Sequence, residues 1–209
     1  MIIVSLKTRI QDGANLLQME LSDGSSLYIK DCYLNNYPEQ ALESGSEIFP
    51  DEEAALRFAD ACFRAERTGT RLIARAEQTQ AGLSRKLKIR GHASNCISAV
   101  MARFVDINLI NDERYAERWL RARLARKSRK IYGPRMLSSA LENRGISREA
   151  LKGAFDRALD EEAEFALLQR FLSKNRMGGM SGAYSLRGRL RYEGFSSPVI
   201  NRYFDETAD

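Results

Sequence analysis

Hydrophobic positions change their period near residue 50. Before it, Ile2-Ile3-Val4 opens a β-rich run and Leu16-Leu17-Gln18-Met19-Glu20-Leu21 alternates. Ser22-Asp23-Gly24-Ser25-Ser26 then supplies a turn, and Leu27-Tyr28-Ile29 resumes the apolar pattern. This is the signature of a small β-hairpin or meander. Two or three strands are not independently stable in water, so the unit is predicted to pack on the helices that follow. From Pro50 the period becomes helical. Pro50 precedes Asp51, Glu52 and Glu53, a proline and acidic first turn that start a helix, and Ala55, Leu56, Phe58, Ala59, Cys62 and Phe63 recur along one face. This helix is predicted to reach about Glu77, loosened at Thr68-Gly69-Thr70. Everything after it reads as helix and short turn.

An internal repeat organises the rest. Leu83, Leu87 and Gly91 are spaced by four and four, as are Leu137, Leu141 and Gly145, and Leu186, Leu190 and Gly194. Two leucines one turn apart make an apolar stripe, and a glycine one turn later suits the left-handed residue that ends a helix. Ser94, Ser147 and Ser196 are candidate caps for the next helix of each copy, followed by Ile97/Val100/Phe104, Leu151/Phe155 and Val199/Ile200/Phe204. An apolar helix also precedes each copy, with Leu72-Ile73, Tyr115-Ala116-Trp119-Leu120 and Phe165-Leu168-Phe171-Leu172. The fold class is therefore mainly α: tandem three-helix repeats in an extended curved array behind the small N-terminal β unit. The predicted boundaries are 1–49 for the β unit, 50–110 for the long helix and first repeat, 111–160 for the second repeat and 161–209 for the third.

Composition narrows the function. A chain of 209 residues buries about 70% of its unfolded surface without disulfides or metal. Its longest run without Asp, Glu, Lys or Arg, Gly91–Ala102, falls short of the roughly 20 apolar residues of a membrane span. The start MIIVSLKTRIQDG meets charge and glycine too soon for a secretory leader, so the chain reads as cytoplasmic. Cys32, Cys62 and Cys96 lie far apart without a C-x-x-C pair and read as reduced, buried thiols rather than a zinc site. No phosphate loop, dinucleotide fingerprint, H-E-x-x-H or G-x-S-x-G motif occurs, and the single imidazole, His92, follows a helix-ending glycine. Asp160-Glu161-Glu162 sits at a helix start, where acidic side chains favour the dipole. The chain is read as a non-enzyme that needs no cofactor or metal and acts as a monomer.

Charge is concentrated. Residues 1–50 carry three basic and seven acidic side chains, and residues 51–70 three and five. Residues 71–135 carry sixteen and five, a net +11, while 136–209 balance at eleven each. Such a concentration is the footprint of a polyanionic or acidic partner. Arg114, Arg118 and Arg121 fall on one stripe of the helix after Asp112, and Arg123, Arg126, Lys127, Arg129 and Lys130 carry the charge toward Gly133 and Arg135. Arg85, Lys86, Lys88 and Arg90 form a second cluster one repeat earlier, a candidate for the same face. Little aromatic interleaving beyond Tyr115, Trp119 and Tyr132 accompanies these cations, which predicts sequence-independent contact with single- or double-stranded DNA. Asp112 is predicted to cap its helix, with Tyr115 and Ala116 turned inward.

The string Ile110-Asn111-Asp112-Glu113-Arg114-Tyr115-Ala116, then Tyr132-Gly133-Pro134-Arg135, then Leu137-x3-Leu141-x2-Arg144-Gly145-Ile146 resembles the central signature of the RecX family. Ala74-Arg75 through Leu83-x3-Leu87-x2-Arg90-Gly91-His92 is similar to that family's first repeat. The acidic β-rich start is similar to an extension some members carry. The likeness covers nearly the whole chain, most strongly 70–160. Gly82 stands where the first repeat commonly has an acidic residue, and Met177-Gly178-Gly179-Met180-Ser181-Gly182 is looser than the family's third repeat. The resemblance implies a regulator of the RecA recombinase, without catalytic activity of its own. It would lodge in the groove of the RecA–DNA filament and suppress ATP hydrolysis, strand exchange and co-protease function. Two other classes fit the residues: a DNA-binding protein acting without RecA, and an enzyme using carboxylates alone.

Overall fold

Leu17, Met19 and Leu21 are buried while Glu20 between them is exposed, the alternation of a strand with one face on a core. In the computed structural model, which describes residues 1–11, 14–34, 42–126, 130–174 and 183–207, this strand is β2 (Ala14–Leu21). It is flanked by β1 (Ile3–Gln11) and β3 (Ser26–Lys30) in an antiparallel meander ordered β1-β2-β3. Leu17 faces Ile29 and Met19 faces Leu27 across the β2–β3 ladder, so the pairs that set the register are also the buried ones. The outer edge of β3 is met by α1 (Pro50–Arg75), whose Asp60 Oδ1 accepts from the Tyr28 backbone N–H at 2.9 Å.

The chain forms two compact units: residues 1–78 with 82–110, and 79–81 with 111–209. In the first, the sheet packs on α1, α2 (Gln80–Ile89) and α3 (Ser94–Asp106) around a core that includes Leu56, Leu87, Val100 and Phe104. α1 runs unbroken through Thr68-Gly69-Thr70, against the loosening expected there. A Cβ on Gly69 would come 2.7 Å from Phe104 Cε2, so this glycine makes room for a core ring instead of relaxing the helix. Helix α3 starts one residue earlier than a Ser94 cap allows, with Ala93 at the cap position. Cys62 and Cys96 are buried but Cys32 is exposed, a correction to the expectation of three buried thiols.

One polar cluster is sealed inside the first unit. Lys30 Nζ donates to Glu66 Oε1 at 2.6 Å, and the Tyr33 hydroxyl donates to Glu66 Oε2 at 2.8 Å. Lys30 is only 1% exposed. Burial, reinforced by the Glu66 carboxylate, pushes the Tyr33 phenol far above its ordinary pKa, so it stays a donor.

The second unit holds α4 (Asp112–Ala125), α5 (Pro134–Glu142), α6 (Arg148–Ala158), α7 (Glu161–Lys174), α8 (Ala183–Tyr192) and α9 (Ser197–Glu206). Nine α-helices thus occur among the described residues. Small residues bring α4 and α6 together. Ala116 and Ala154 are fully buried, and a Cβ on Gly153 would collide with the Glu113 carboxylate. The Ser147 side chain caps α6 by accepting from Ala150 N–H, and Asp160 caps α7 by accepting from Ala163 N–H.

The three Leu-x3-Leu-x3-Gly strings end α2, α5 and α8 in one way. Gly91, Gly145 and Gly194 have φ of +83°, +83° and +89°. In each, the residue after the glycine donates to the carbonyl of the second leucine: His92 to Leu87, Ile146 to Leu141 and Phe195 to Leu190. The glycine donates to the next carbonyl, Lys88, Glu142 or Arg191. These are Schellman closures. Ile146 and Phe195 bury the apolar contact that usually completes the motif. His92 occupies that place in the first copy and makes a 3.2 Å hydrogen bond with Thr68 Oγ1.

The closures and the buried cluster can both be tested by unfolding. At Gly91 a Cβ meets open space, so Gly91→Ala costs about 1–2 kcal/mol, from left-handed backbone alone. At Gly194 a Cβ would stand 2.9 Å from the Arg135 nitrogen, so Gly194→Ala costs roughly 1–3 kcal/mol more through overpacking. Urea unfolding ranks the two, and equal losses would contradict the packing account. Glu66→Ala, which takes the carboxylate from buried Lys30, costs about 3–5 kcal/mol. The same unfolding assay should show Lys30→Met with Glu66→Leu recovering only part of that loss, because Tyr33 and Arg103 also lose the Glu66 carboxylate.

Candidate functional site

The start of α4 differs from expectation. Asn111, not Asp112, caps the helix: its Oδ1 accepts from Arg114 N–H at 2.9 Å. Asp112 is the first helical residue, and its Oδ1 accepts from the Gln80 backbone N–H at 2.9 Å. It serves another helix start, so both acceptor side chains of the Asn-Asp pair are used. Burial raises the Asp112 pKa above its ordinary value, opposed by the hydrogen bond from Gln80.

The cations of α4 divide by their surroundings. Arg121 pairs with Glu117 at 3.0 Å and donates to the Arg157 carbonyl. Arg157 bonds both Glu113 and Glu117, the latter at 2.9 Å, and its bond to Glu117, followed by that from Arg121, holds the Glu117 carboxyl below its usual range. The positive charge of Arg121 is therefore matched by acidic neighbours. Arg118 and Arg126 are exposed and Arg114 is half-buried. Arg170 on α7 donates to the Leu124 and Arg126 carbonyls at 2.6 and 2.8 Å, closing the C-terminal turn of α4. Lys127 and Arg129, with the 177–182 stretch, lie outside the described residues. In the first unit Arg85, Lys86, Lys88 and Arg90 are all exposed on or just after α2. Lys86 reaches Gln78 Oε1 at 2.6 Å and Arg90 the Lys86 carbonyl at 2.8 Å.

The remaining predicted cations of the described residues, Arg123, Lys130 and Arg135, lie against aromatic rings, and Arg189 joins them. Arg123 lies 5.1 Å and Lys130 5.4 Å from the Tyr132 ring centroid. Arg135 lies 4.3 Å and Arg189 5.5 Å from that of Tyr192. A backbone joint brings the two sets together. Arg135 N–H donates to the Glu193 carbonyl at 2.9 Å, and the approach is so close that a Cβ on Gly133 would sit 2.7 Å from that same oxygen. Pro134, at the first position of α5, lacks an N–H that the helix start would leave unsatisfied. Beside the joint opens a groove of about 470 Å³, lined by Lys130, Tyr132, Arg135, Met136, Arg189 and Tyr192 among others.

Arg189, Tyr192 and Glu193 were not among the residues singled out from the sequence. The repeat register holds a signal for them. Glu193, before Gly194, corresponds to Arg144, before Gly145, and the Arg144 carbonyl accepts from Thr79 Oγ1 at 2.9 Å. Gly145 packs on Ala81 just as Gly194 packs on Arg135. The turn ending each of these strings thus docks on the start of an earlier helix, a pairing that spacing alone does not reveal.

Among the described residues no three His, Cys, Asp or Glu side chains gather as a metal site, and no helix is long and apolar enough to cross a membrane. His92, partly buried and beside Arg90, has its pKa lowered by burial first and by that charge second.

No family model matches the chain. It is 31% identical over 158 residues to the regulatory protein RecX of Treponema pallidum strain Nichols, spanning 76% of this chain and 94% of that one. The chain belongs to the RecX family. The family's members are regulators, not enzymes. RecX of Thermobifida fusca is 28% identical, over 81% of this chain and 90% of its own. A crystal structure of a regulatory protein RecX superposes over 98% of both chains with a TM-score of 0.68 at 20% identity. RecX from Lactobacillus salivarius matches 71% of this chain and 97% of its own, with a TM-score of 0.58 at 22% identity. The first of these structures shares the fold over nearly the whole chain, small N-terminal sheet included.

The corrected cap has a measurable consequence. Asn111→Ala should cost about 1 kcal/mol in urea unfolding. Asp112→Asn keeps an acceptor oxygen and removes a charge that burial penalises. Because the folded-state pKa of Asp112 is raised, the folded chain holds that proton more tightly and loses the benefit as pH rises through the carboxylate range. Asp112→Asn is therefore neutral or mildly stabilising at pH 7, and its difference from wild type shrinks in acid. A large loss at pH 7 would restore Asp112 as the cap.

Proposed function

We propose that this protein binds the RecA–DNA filament and restrains the recombinase, lowering ATP hydrolysis, strand exchange and co-protease function. Membership of the RecX family supports this reading. The observation that carries it is a set of exposed cations, Arg118 on α4 and Arg126 at its end, with Lys130 and Arg135 lining a groove that has aromatic walls. Acidic recombinase residues and DNA phosphates are the two anions such a surface meets inside a nucleoprotein filament. Contacts to phosphate position a protein without reading sequence, so the interaction is sequence-independent. The protein acts as a monomer and without a cofactor.

A second reading, direct DNA binding without RecA, rests on the same cations and predicts steep loss of affinity with salt.

DNA-stimulated ATP hydrolysis by the cognate RecA, with this protein titrated in below one copy per recombinase, decides between them. Inhibition well below equimolar marks action on the filament. Arg118→Glu with Arg126→Glu should abolish that inhibition while circular dichroism shows the helices intact. Full inhibition by the double variant would remove these two side chains from the interface. No inhibition by excess wild-type protein, alongside salt-sensitive binding to bare DNA, would favour the second reading.

A further inference from the structure

The groove in the second unit combines two features that phosphate contact alone does not require. Its cations are layered on rings: the Arg135 guanidinium lies 4.3 Å from the Tyr192 centroid, and Lys130 5.4 Å from that of Tyr132. Tyr192 is also 59% exposed, among the most exposed large apolar side chains of the chain, and Met136 on the same lining is 50% exposed. An aromatic ring and a guanidinium plane are both flat surfaces on which a nucleobase stacks. An acidic peptide would satisfy the cations but leave the rings unused. A duplex would offer phosphates alone, because its bases are already stacked on one another.

We propose that this groove seats one unstacked nucleotide of a single nucleic-acid strand. The base lies against the Arg135–Tyr192 layer, and its phosphate meets Lys130 and Arg135. The volume, about 470 Å³, suits one nucleotide, within the size range of small-ligand sites. Glu193 limits the occupancy. Its carboxylate, 2.7 Å from Arg189, neutralises that cation and repels a second phosphate, so the phosphate is directed to the Lys130 side. The assignment deepens the reading above by naming the form of nucleic acid this side of the protein meets. It rests on that reading only in taking the cationic surface to face nucleic acid.

The test uses the full chain without recombinase. Fluorescence anisotropy of labelled oligo-dT and of a duplex of equal length is measured for wild type, Tyr192→Ala and Tyr192→Phe. Loss of one stacked base weakens binding roughly tenfold. Tyr192→Ala should therefore bind the single strand about tenfold more weakly, change duplex binding less than about twofold and keep the same salt slope, while Tyr192→Phe stays near wild type. A 2-aminopurine placed in the strand should be quenched by wild type and not by Tyr192→Ala. Tyr192 is exposed, so both variants should keep the wild-type thermal unfolding curve. Unchanged single-strand binding by Tyr192→Ala, or equal loss on both nucleic acids, would overturn the proposal. Displacement of the strand by free AMP at concentrations matching its own nucleotide content would also overturn it, by assigning the groove to a free nucleotide. Because no recombinase is present, these failures are separate from any failure to inhibit ATP hydrolysis.

Discussion

The second unit depends on a backbone-to-backbone contact that only small residues permit. Gly133 and Gly194 stand on either side of the hydrogen bond from Arg135 N–H to the Glu193 carbonyl, and a methyl group on either glycine would intrude on the opposite main chain. The left-handed turn at Gly194 does two things at once. It ends α8 by satisfying the carbonyls of Leu190 and Arg191, and it turns the Glu193 carbonyl toward the start of α5. Leu190 and Phe195, buried beneath that turn, anchor it to the core. Hydrophobic burial supplies the drive, and the glycines decide where the main chains meet.

The charge pattern becomes legible once that joint is in place. A net excess of basic side chains in residues 71–135 does not make every one of them a contact for a partner. Arg121 is matched by Glu117, and Arg170, from outside the basic segment, is taken up by the end of α4. The cations beside the groove are instead stacked on tyrosines, where the ring quadrupole orients the guanidinium and limits its freedom before any ligand arrives. Preorganisation of this kind reduces the entropy lost on binding.

Much of the architecture was visible in the one-dimensional pattern because helix ends are local chemistry. The leucine–glycine strings announce three closures, and Pro50 with its acidic first turn marks the start of the long helix. The errors came where two adjacent residues offered similar chemistry. Asn111 and Asp112 both accept hydrogen bonds, and only the geometry shows Asn111 turned to its own helix and Asp112 to Gln80. Gly69 read as a weak point because the composition around it suggested a turn, whereas Phe104, far along the chain, is what the missing side chain accommodates. Tyr192 and Arg189 were not singled out for the same reason: their importance comes from Arg135, which is distant in sequence and adjacent in space. The candidate site was thus half legible, its cations from charge density and its aromatic wall only from tertiary contact.

A joint defined by one N–H, one C=O and two positions that must remain small asks very little of the amino acids around it. Most outward-facing side chains in these modules can then be exchanged without disturbing the path of the main chain. That freedom fits a chain only 20% identical to a crystallised RecX that nevertheless follows it over 98% of its length. In such an architecture an exchange of outward side chains leaves the path of the main chain intact, whereas a single methyl group at Gly133 or Gly194 would force the two backbones apart.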